Sequence, residues 1–270
     1  MRFAGLCVGL AGAVGRVEAQ ISMSSYRNTY TQNFDGLPAT GDAIWENGAY
    51  YFPGWTIQRS KAGSTIKASS GSDVAGGLYS YGNASNLTDR ALGSISSLNA
   101  GEFAYGLLLQ NNTGATIKAL DLSYIGEQWR ISNKTAGEHR ISVWYAVSSS
   151  SSNFDLSPAA KTGWTEIPEL TFFSPAFYTE GKTTDGNSAT YRRLLTKILA
   201  VDIPAGYYIM LRFLDKDEIE ADHGLAIDDF SVSWYMEATQ GPTPLPVELV
   251  YFKAASRGVA VELNWRTASE

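Results

Sequence analysis

The chain has 270 residues, of which 18% are charged and 44% hydrophobic, with 26 glycines, 15 tyrosines, one cysteine and two histidines. So few cysteines and histidines exclude a Cys/His zinc cluster and most histidine-dependent catalysis. The net charge of -6 excludes a basic surface that would attract nucleic acid. The low charged fraction and the abundant glycine and tyrosine favour an extracellular all-β protein.

The N-terminus has the pattern of an export signal. An uncharged apolar stretch over residues 3–15 is too short to span a bilayer as an ordinary helix. Val17 and Ala19 fit the small-residue rule before a cleavage site. We therefore predict a signal peptide over residues 1–19 and a secreted or cell-surface protein without a transmembrane segment. Cleavage would also remove Cys7, leaving a mature chain without cysteine and with a net charge of -7.

Alternating hydrophobic residues predict strands from about residue 30 to residue 235, and no segment has convincing helical periodicity. The clearest predicted strands are 102–111, 120–125, 140–148, 207–214 and 224–234. The segment 207–214 is apolar on both faces apart from Arg212, which predicts a central strand covered on both sides. Another predicted strand places Arg140, Ser142 and Trp144 on the face opposite its aliphatic residues. Many strands with polar, glycine-rich connections predict an all-β jelly-roll β-sandwich.

The strand pattern breaks where Pro242, Pro244 and Pro246 disfavour regular pairing, which predicts a semi-rigid linker. Two strand-like pieces follow, and two strands alone do not make an independently stable domain. The predicted units are a signal peptide over 1–19, a jelly-roll module over 20–237, a proline-rich linker over 238–246 and the truncated start of a fibronectin- or immunoglobulin-like domain over 247–270.

The residues around and after the end of this linker resemble a known segment. Residues 245–252 (LPVELVYF) and 261–270 (VELNWRTASE) resemble the start of the fibronectin-like region that precedes the C-terminal sorting domain of type IX secretion substrates. The resemblance implies that bacterial export machinery is a partner of the chain.

The larger part of the chain carries a second resemblance. Its segments are 33–38 (NFDGLP), 89–94 (DRALGS), 126–130 (GEQWR) and 222–230 (DHGLAIDDF). They resemble secreted bacterial modules that precede sorting domains or accompany extracellular nucleases and phosphatases. The last segment is also similar to the final strand of MAM domains and of several carbohydrate-binding jelly rolls. This resemblance implies a jelly-roll fold, which often holds a structural calcium ion between its first and last strands.

Carboxylates lie near both the first and the last predicted strand of the module. Asp35 lies early in the module and Asp228 and Asp229 lie near its end, and with Asn33 they would supply the oxygen ligands that calcium prefers. Asp228 has the same strand parity as Phe230, so its carboxylate is expected to face inward and to need a partner. We therefore expect a structural calcium site; the alternative is that Asp228 caps backbone amides or pairs with an arginine.

Three neighbouring residues suggest a ligand site. Glu127, Trp129 and Arg130 combine a planar cation with an aromatic face, which suits recognition of a carboxylate or a sugar. The alternative is that Trp129 fills the edge of the sandwich and Glu127 pairs with Arg130. Other rings in polar surroundings, some of which are expected to be exposed, are Tyr50, Tyr51, Phe52, Trp55, Tyr79, Tyr81 and Trp164.

Signatures of catalysis are missing from the sequence. It contains no GxSxG, HExxH or GxxxxGK[ST] motif, and His139 and His223 are expected to be surface or hydrogen-bonding residues. The acidic run over 215–222 lacks the spacing of an EF-hand loop and predicts a solvated loop, with a weak second calcium site as the alternative.

The sequence therefore predicts a non-catalytic, monomeric, secreted or cell-surface binding or adhesion module. Its expected partners are a polysaccharide or another cell-surface ligand, and its expected cofactor is calcium. The alternative is an accessory domain of an extracellular hydrolase or nuclease whose catalytic part lies outside this chain. A third hypothesis is a hydrolase that uses Asp/Glu pairs within residues 20–237.

Overall fold

The structure, a computed structural model, describes residues 20–25, 28–48, 52–236, 249–257 and 260–267. The predicted signal peptide over 1–19 and the predicted linker over 238–246 lie outside the described residues. The described residues form eighteen strands and two short 3-10 helices, Ser151–Asn153 and Pro168–Leu170. None of the helices in these ranges has the length and hydrophobicity needed to cross a membrane.

The strands are numbered in chain order. The first nine are β1 (Ile21–Met23), β2 (Thr29–Gln32), β3 (Asp42–Ile44), β4 (Trp55–Arg59), β5 (Thr65–Ser69), β6 (Gly77–Tyr81), β7 (Ala91–Ile95), β8 (Phe103–Asn111) and β9 (Ile117–Ile131). The other nine are β10 (Arg140–Ser148), β11 (Thr165–Glu166), β12 (Phe172–Phe173), β13 (Lys182–Thr183), β14 (Arg192–Ile203), β15 (Tyr208–Asp215), β16 (Gly224–Tyr235), β17 (Leu249–Arg257) and β18 (Ala260–Thr267).

Two mixed sheets contain the first sixteen strands. Sheet A has the order β1-β8-β15-β10-β11, with β4 also paired to β8 and β12 to β10. Sheet B has the order β13-β9-β16-β7-β6-β5-β3, with β14 also paired to β9 and β2 to β16. The strands β17 and β18 pair with each other in a separate antiparallel sheet.

The central strands have jelly-roll connectivity. Four of them are neighbours in sheet B in the order β7-β16-β9-β14, and four are neighbours in sheet A in the order β8-β15-β10-β11. The chain crosses between the sheets at each step from β7 to β10, as it does in the double Greek key of an eight-stranded jelly roll. The predicted all-β sandwich is therefore confirmed.

The main hydrophobic core lies between the two sheets, and a smaller cluster covers the outer face of each sheet. Trp55 is fully buried in the main core, where its ring lies 4.9 Å from that of Phe34 and 5.6 Å from that of Phe230. On sheet A, Trp164 and Leu156 belong to the outer cluster, and segment 149–166 covers the sheet there.

Sequence periodicity located four of the five clearest predicted strands to within one residue at each end. The predicted strand 140–148 coincides with β10, and the predicted strand 207–214 differs from β15 by one residue at each end. As predicted, β15 is central, since it pairs with β8 and β10 and has hydrophobic clusters on both faces. In contrast, β9 is much longer than the predicted 120–125, because its second half buries Glu127 and Gln128, which breaks the alternation.

Candidate functional site

The predicted calcium ligands lie on or directly beside two neighbouring strands, β2 and β16. Asn33 and Asp35 directly follow β2, which pairs with β16 next to Asp228 and Asp229. One carboxylate oxygen of Asp35 accepts the Asn33 side-chain amide at 2.5 Å, and the other accepts the backbone N–H of Arg90 at 3.1 Å. Asp35 and Asp229 are close enough to repel each other electrostatically. The fold thus brings the two ends of the predicted site together.

Asp228 faces the opposite way from the prediction. An irregularity in the pairing of β16 with β9 lies between Asp228 and Ser231, and Asp229 has a φ of 48°. This β-bulge inserts one residue, so Phe230 points into the main core whereas Asp228 lies on the outer face of sheet B. The carboxylate of Asp228 is nevertheless buried, and it accepts the backbone N–H of Asp229 at 2.7 Å.

Two further acids join these residues. The acidic cluster, as we call it, consists of Asp35, Asp89, Glu127, Asp228 and Asp229, whose charges interact. The amide of Asn187 donates to Asp89 at 2.5 Å, and Arg192 lies 3.8 Å from Asp229. No local sequence pattern joins these acids, because strand pairing between distant segments assembles them.

Glu127 is the most constrained member of the acidic cluster. Its side chain is fully buried, and one oxygen accepts the indole N–H of Trp129 at 2.8 Å. Its other oxygen, Oε1, has no hydrogen-bond partner. Burial raises the pKa of Glu127 to about 7. Burial and, second, repulsion from Glu127 raise the pKa of Asp228 to about 9.

The acidic cluster is not a preformed metal site. Within the described ranges, no three His, Cys, Asp or Glu side chains are arranged to hold a metal ion. The predicted calcium therefore stays a prediction, and the orphaned oxygen of Glu127 is the feature of the structure that a cation would satisfy.

The predicted ligand site at Glu127, Trp129 and Arg130 is divided by the fold. Trp129 is 1% exposed and stacks on Tyr81 with a centroid distance of 5.9 Å, so its ring has no face available to a sugar. Arg130 does not pair with Glu127; its guanidinium donates to the backbone oxygen of Gly71 at 3.2 Å and lines a separate cleft of about 320 Å³.

Five of the seven rings that sequence could not assign to core or surface are in the interior. Those that are buried are Phe52, Trp55, Tyr79, Tyr81 and Trp164. Tyr50 and Tyr51 lie outside the described residues. The five rings are buried because the protein has hydrophobic clusters on both outer sheet faces as well as between the sheets.

Both histidines are buried and stack on each other with a centroid distance of 4.4 Å. Nδ1 of His223 accepts the backbone N–H of Ser132 at 3.0 Å, and its Nε2 lies 3.1 Å from the backbone oxygen of Gly137. Asp222 lies 3.3 Å from His139. Burial lowers the pKa of His223 to about 4, so the ring is neutral at pH 7. These contacts tie loop 132–139 to the start of β16, which is a structural role.

A second candidate site opens on the outer face of sheet A, in a cleft of about 250 Å³. The Trp144 cleft, as we call it, is lined by Arg140, Trp144, Lys161, Glu166, Lys216 and Glu218. The alternation of β10 predicted that Arg140 and Trp144 share a face. The other walls come from the β11 segment and from the residues after β15, so the cleft has no signature in any one segment of the sequence.

The indole of Trp144 is held in place by its neighbours. It is partly exposed, and its N–H donates to the hydroxyl of Ser142 at 2.9 Å. The guanidinium of Arg212 lies 5.6 Å from the Trp144 ring centroid and 4.1 Å from that of Trp164, which gives cation–π contacts to both rings. Burial lowers the pKa of Arg212 to about 10, so the group remains charged at neutral pH.

Comparisons with known proteins give distant structural likeness only. No known protein family and no curated protein matches the sequence. One similar structure is the enzymatically active domain of tailspike protein 4 of bacteriophage CBA120, with 8% identity and a TM-score of 0.36 over 68% of this chain and 20% of that chain. This chain thus spans about a fifth of the tailspike chain.

Two others are smaller domains. The K3 cleaved adhesin domain of Lys-gingipain from Porphyromonas gingivalis has 11% identity and a TM-score of 0.37, over 76% of this chain and 97% of that chain. The module TmCBM61, solved in complex with β-1,4-galactotriose, has 10% identity and a TM-score of 0.31, over 67% of this chain and 88% of that chain. At these TM-scores the likenesses carry no argument about what this chain binds.

Proposed function

We propose that the β-sandwich is a non-catalytic binding module that holds a glycan in the Trp144 cleft. The observation that carries the proposal is the partly exposed indole of Trp144, which is fixed on β10 of sheet A and surrounded by long charged side chains. An aromatic face suits the C–H surface of a sugar ring, and charged side chains suit its hydroxyl groups. Because Trp144 lies on a strand and contacts Arg212, its side chain would lose little conformational entropy on binding.

The arrangement of the titratable groups supports a non-catalytic role. A general acid or base must reach its substrate, but Glu127 and Asp228, whose pKa values are raised, are 0% and 3% exposed. His139 and His223 are engaged in buried contacts with each other and with the backbone. These buried groups are not available to act as a general acid or base, which supports the non-catalytic role.

The sequence supports an extracellular setting for this function. The predicted export signal over residues 1–19 and the resemblance of residues 245–252 and 261–270 to type IX secretion substrates favour a secreted or cell-surface protein that meets bacterial export machinery. In that setting a glycan-binding sandwich would attach the protein to a polysaccharide or to a cell surface.

We also propose that the acidic cluster binds a structural calcium ion. Five carboxylates interact there, whereas the one ion pair of the cluster, between Arg192 and Asp229, spans 3.8 Å. Oε1 of Glu127 is buried without a hydrogen bond, which is costly for a polar atom. An ion coordinated by Glu127, Asp228 and the more exposed Asp35 and Asp229 would relieve both the repulsion and the unsatisfied oxygen.

Substitution of Trp144 tests the proposal that the cleft binds a glycan. Trp144→Ala is expected to weaken binding by about 30-fold, the usual effect of removing a central tryptophan from an interface. A glycan array would first identify ligands, and titration calorimetry with the best of them would then compare the wild type with the variant.

Two variants serve as controls for this test. Trp144→Phe keeps an aromatic face and should retain most of the affinity, and Tyr178→Ala removes an exposed ring, 67% accessible, that lies outside the Trp144 cleft. Melting curves would verify that each variant is folded. The proposal is wrong if the wild type binds no glycan, or if Trp144→Ala binds as well as Tyr178→Ala does.

A further inference from the structure

The charges of the Trp144 cleft are not neutralised by one another. Arg140, Lys161 and Lys216 are cationic, and Glu166 and Glu218 are anionic. Within the described part of the chain, none of these five side chains lies within 4.0 Å of an opposite charge. The cleft thus presents three unpaired cations and two unpaired carboxylates around one indole.

Several other described lysines are paired, whereas Lys61 and Lys182 have no described carboxylate within 4.0 Å. Lys67 lies 2.6 Å from Asp73, Lys118 lies 3.0 Å from Asp202, and a third pair joins Lys197 to Glu169 at 2.5 Å. The whole chain also carries a net charge of -6. The Trp144 cleft carries one more cation than it has carboxylates, which is opposite in sign to this overall charge.

We infer that the Trp144 cleft selects a glycan that carries a carboxylate, that is, a uronic acid residue. This inference rests on the proposed function, since it names the class of sugar bound at the same site. The guanidinium of Arg140 presents a planar fork that matches a carboxylate, and Lys161 and Lys216 supply further charge-assisted hydrogen bonds.

The two acids of the cleft narrow the class further. Glu166 lies opposite Trp144 in the pairing of β10 with β11, and Glu218 follows β15. Carboxylates accept hydrogen bonds from sugar hydroxyls but repel additional negative charge. A uronate, with one negative charge and several hydroxyls per ring, matches three cations and two carboxylates better than a heavily sulfated sugar does.

The ligand side of the test uses matched probes. Oligomers of galacturonate, alginate and hyaluronan would be titrated into the protein, each beside a counterpart whose carboxylates are methyl-esterified or reduced. We expect the acidic oligomer of at least one pair to bind about tenfold more tightly than its neutral counterpart, with the advantage decreasing at high salt.

The protein side of the test reverses charge in the cleft. The double variant Lys161→Glu/Lys216→Glu should lose the preference, so that the ratio of the affinities for the acidic and the neutral oligomer falls from about tenfold to about one. The double variant Lys61→Glu/Lys182→Glu changes the net charge by the same amount at two exposed positions outside the cleft, and it should retain the preference.

The outcomes separate this inference from the proposed function. If neutral and acidic oligomers bind equally through Trp144, the cleft is a glycan site and the inference is overturned. If the preference survives the double variant, in which four carboxylates surround Arg140, the charge of the cleft does not produce it and the inference is equally overturned. If no glycan of either kind binds, the proposed function itself fails.

Discussion

Replacing Trp55 with alanine is expected to lower the free energy of unfolding by about 3–5 kcal/mol, the range found for removal of a large aromatic side chain from a core. Trp55 is fully buried and packs against Phe34, Phe213 and Phe230 with centroid distances of 4.9, 6.0 and 5.6 Å. Its indole N–H also donates to the hydroxyl of Tyr30 at 3.0 Å. The substitution would leave a cavity lined by aromatic rings that the two sheets cannot close.

Denaturant unfolding followed by tryptophan fluorescence and circular dichroism would measure this effect. Tyr178→Ala is the matched control, because that ring is 67% exposed, and we expect a change within about 0.5 kcal/mol. A loss below about 1 kcal/mol for Trp55→Ala would contradict the packing described for the main core.

The second large effect is expected from calcium. At pH 8, calcium at about a hundred times its dissociation constant should raise the melting temperature by about 5–10 °C relative to EDTA. The reason is that an ion held only by the folded acidic cluster stabilises the folded state. Differential scanning calorimetry with calcium or EDTA, supported by elemental analysis of the purified protein, would measure it.

The size of the calcium effect should depend on pH. Burial raises the pKa of Glu127 to about 7 and that of Asp228 to about 9, whereas both groups would titrate near pH 4 in the unfolded chain. Without metal, the folded state therefore binds more protons than the unfolded chain, and stability is lost as the pH rises through this window. Calcium replaces those protons, so its stabilising effect should be small at pH 5 and large at pH 8.

Asp228→Asn is the variant that tests this linkage. It should abolish most of the calcium effect and weaken the pH dependence of the metal-free protein, although Asp215 and Asp222, whose pKa values are also raised by burial, would retain part of it. Asp217→Asn, an exposed acid outside the acidic cluster, should behave like the wild type. Identical melts with calcium and EDTA at every pH would refute the calcium proposal.

The sequence predicted those features of the fold that depend on residues close together in the chain, and it failed for features that depend on distant segments. Alternation within a strand depends on residues next to each other, so β10 and β15 were located almost to the residue. The orientation of Asp228 depends on a β-bulge against a distant strand, and parity counted along the chain therefore assigned it to the wrong face.

The candidate sites were harder to predict for the same reason. Trp129 is buried because residues near Thr184 and Gly186 close over it, and nothing in the segment 126–130 indicates that cover. The Trp144 cleft combines β10 with β11 and with the end of β15, and each of these contributes charged residues that look like ordinary solvated side chains in sequence. The jelly-roll resemblance implied that the first and last strands are neighbours, and the pairing of β2 with β16 brings the predicted calcium residues together. Nothing in the sequence indicated that Asp89 and Glu127 would join them.

The β-bulge in β16 has a consequence for how this module can change during evolution. It divides the strand into two halves, so that Leu225 and Ile227 before it and Phe230 after it all reach one core although they differ in parity. Asp229 has a φ of 48°, which Asp, Asn and Gly accept most readily, so substitutions that keep this backbone conformation leave the arrangement intact. Loss of one residue there would instead turn every side chain of one half to the other face. Descendants of this module are thus restricted both in the residue types that the bulge accepts and in the number of residues that build it.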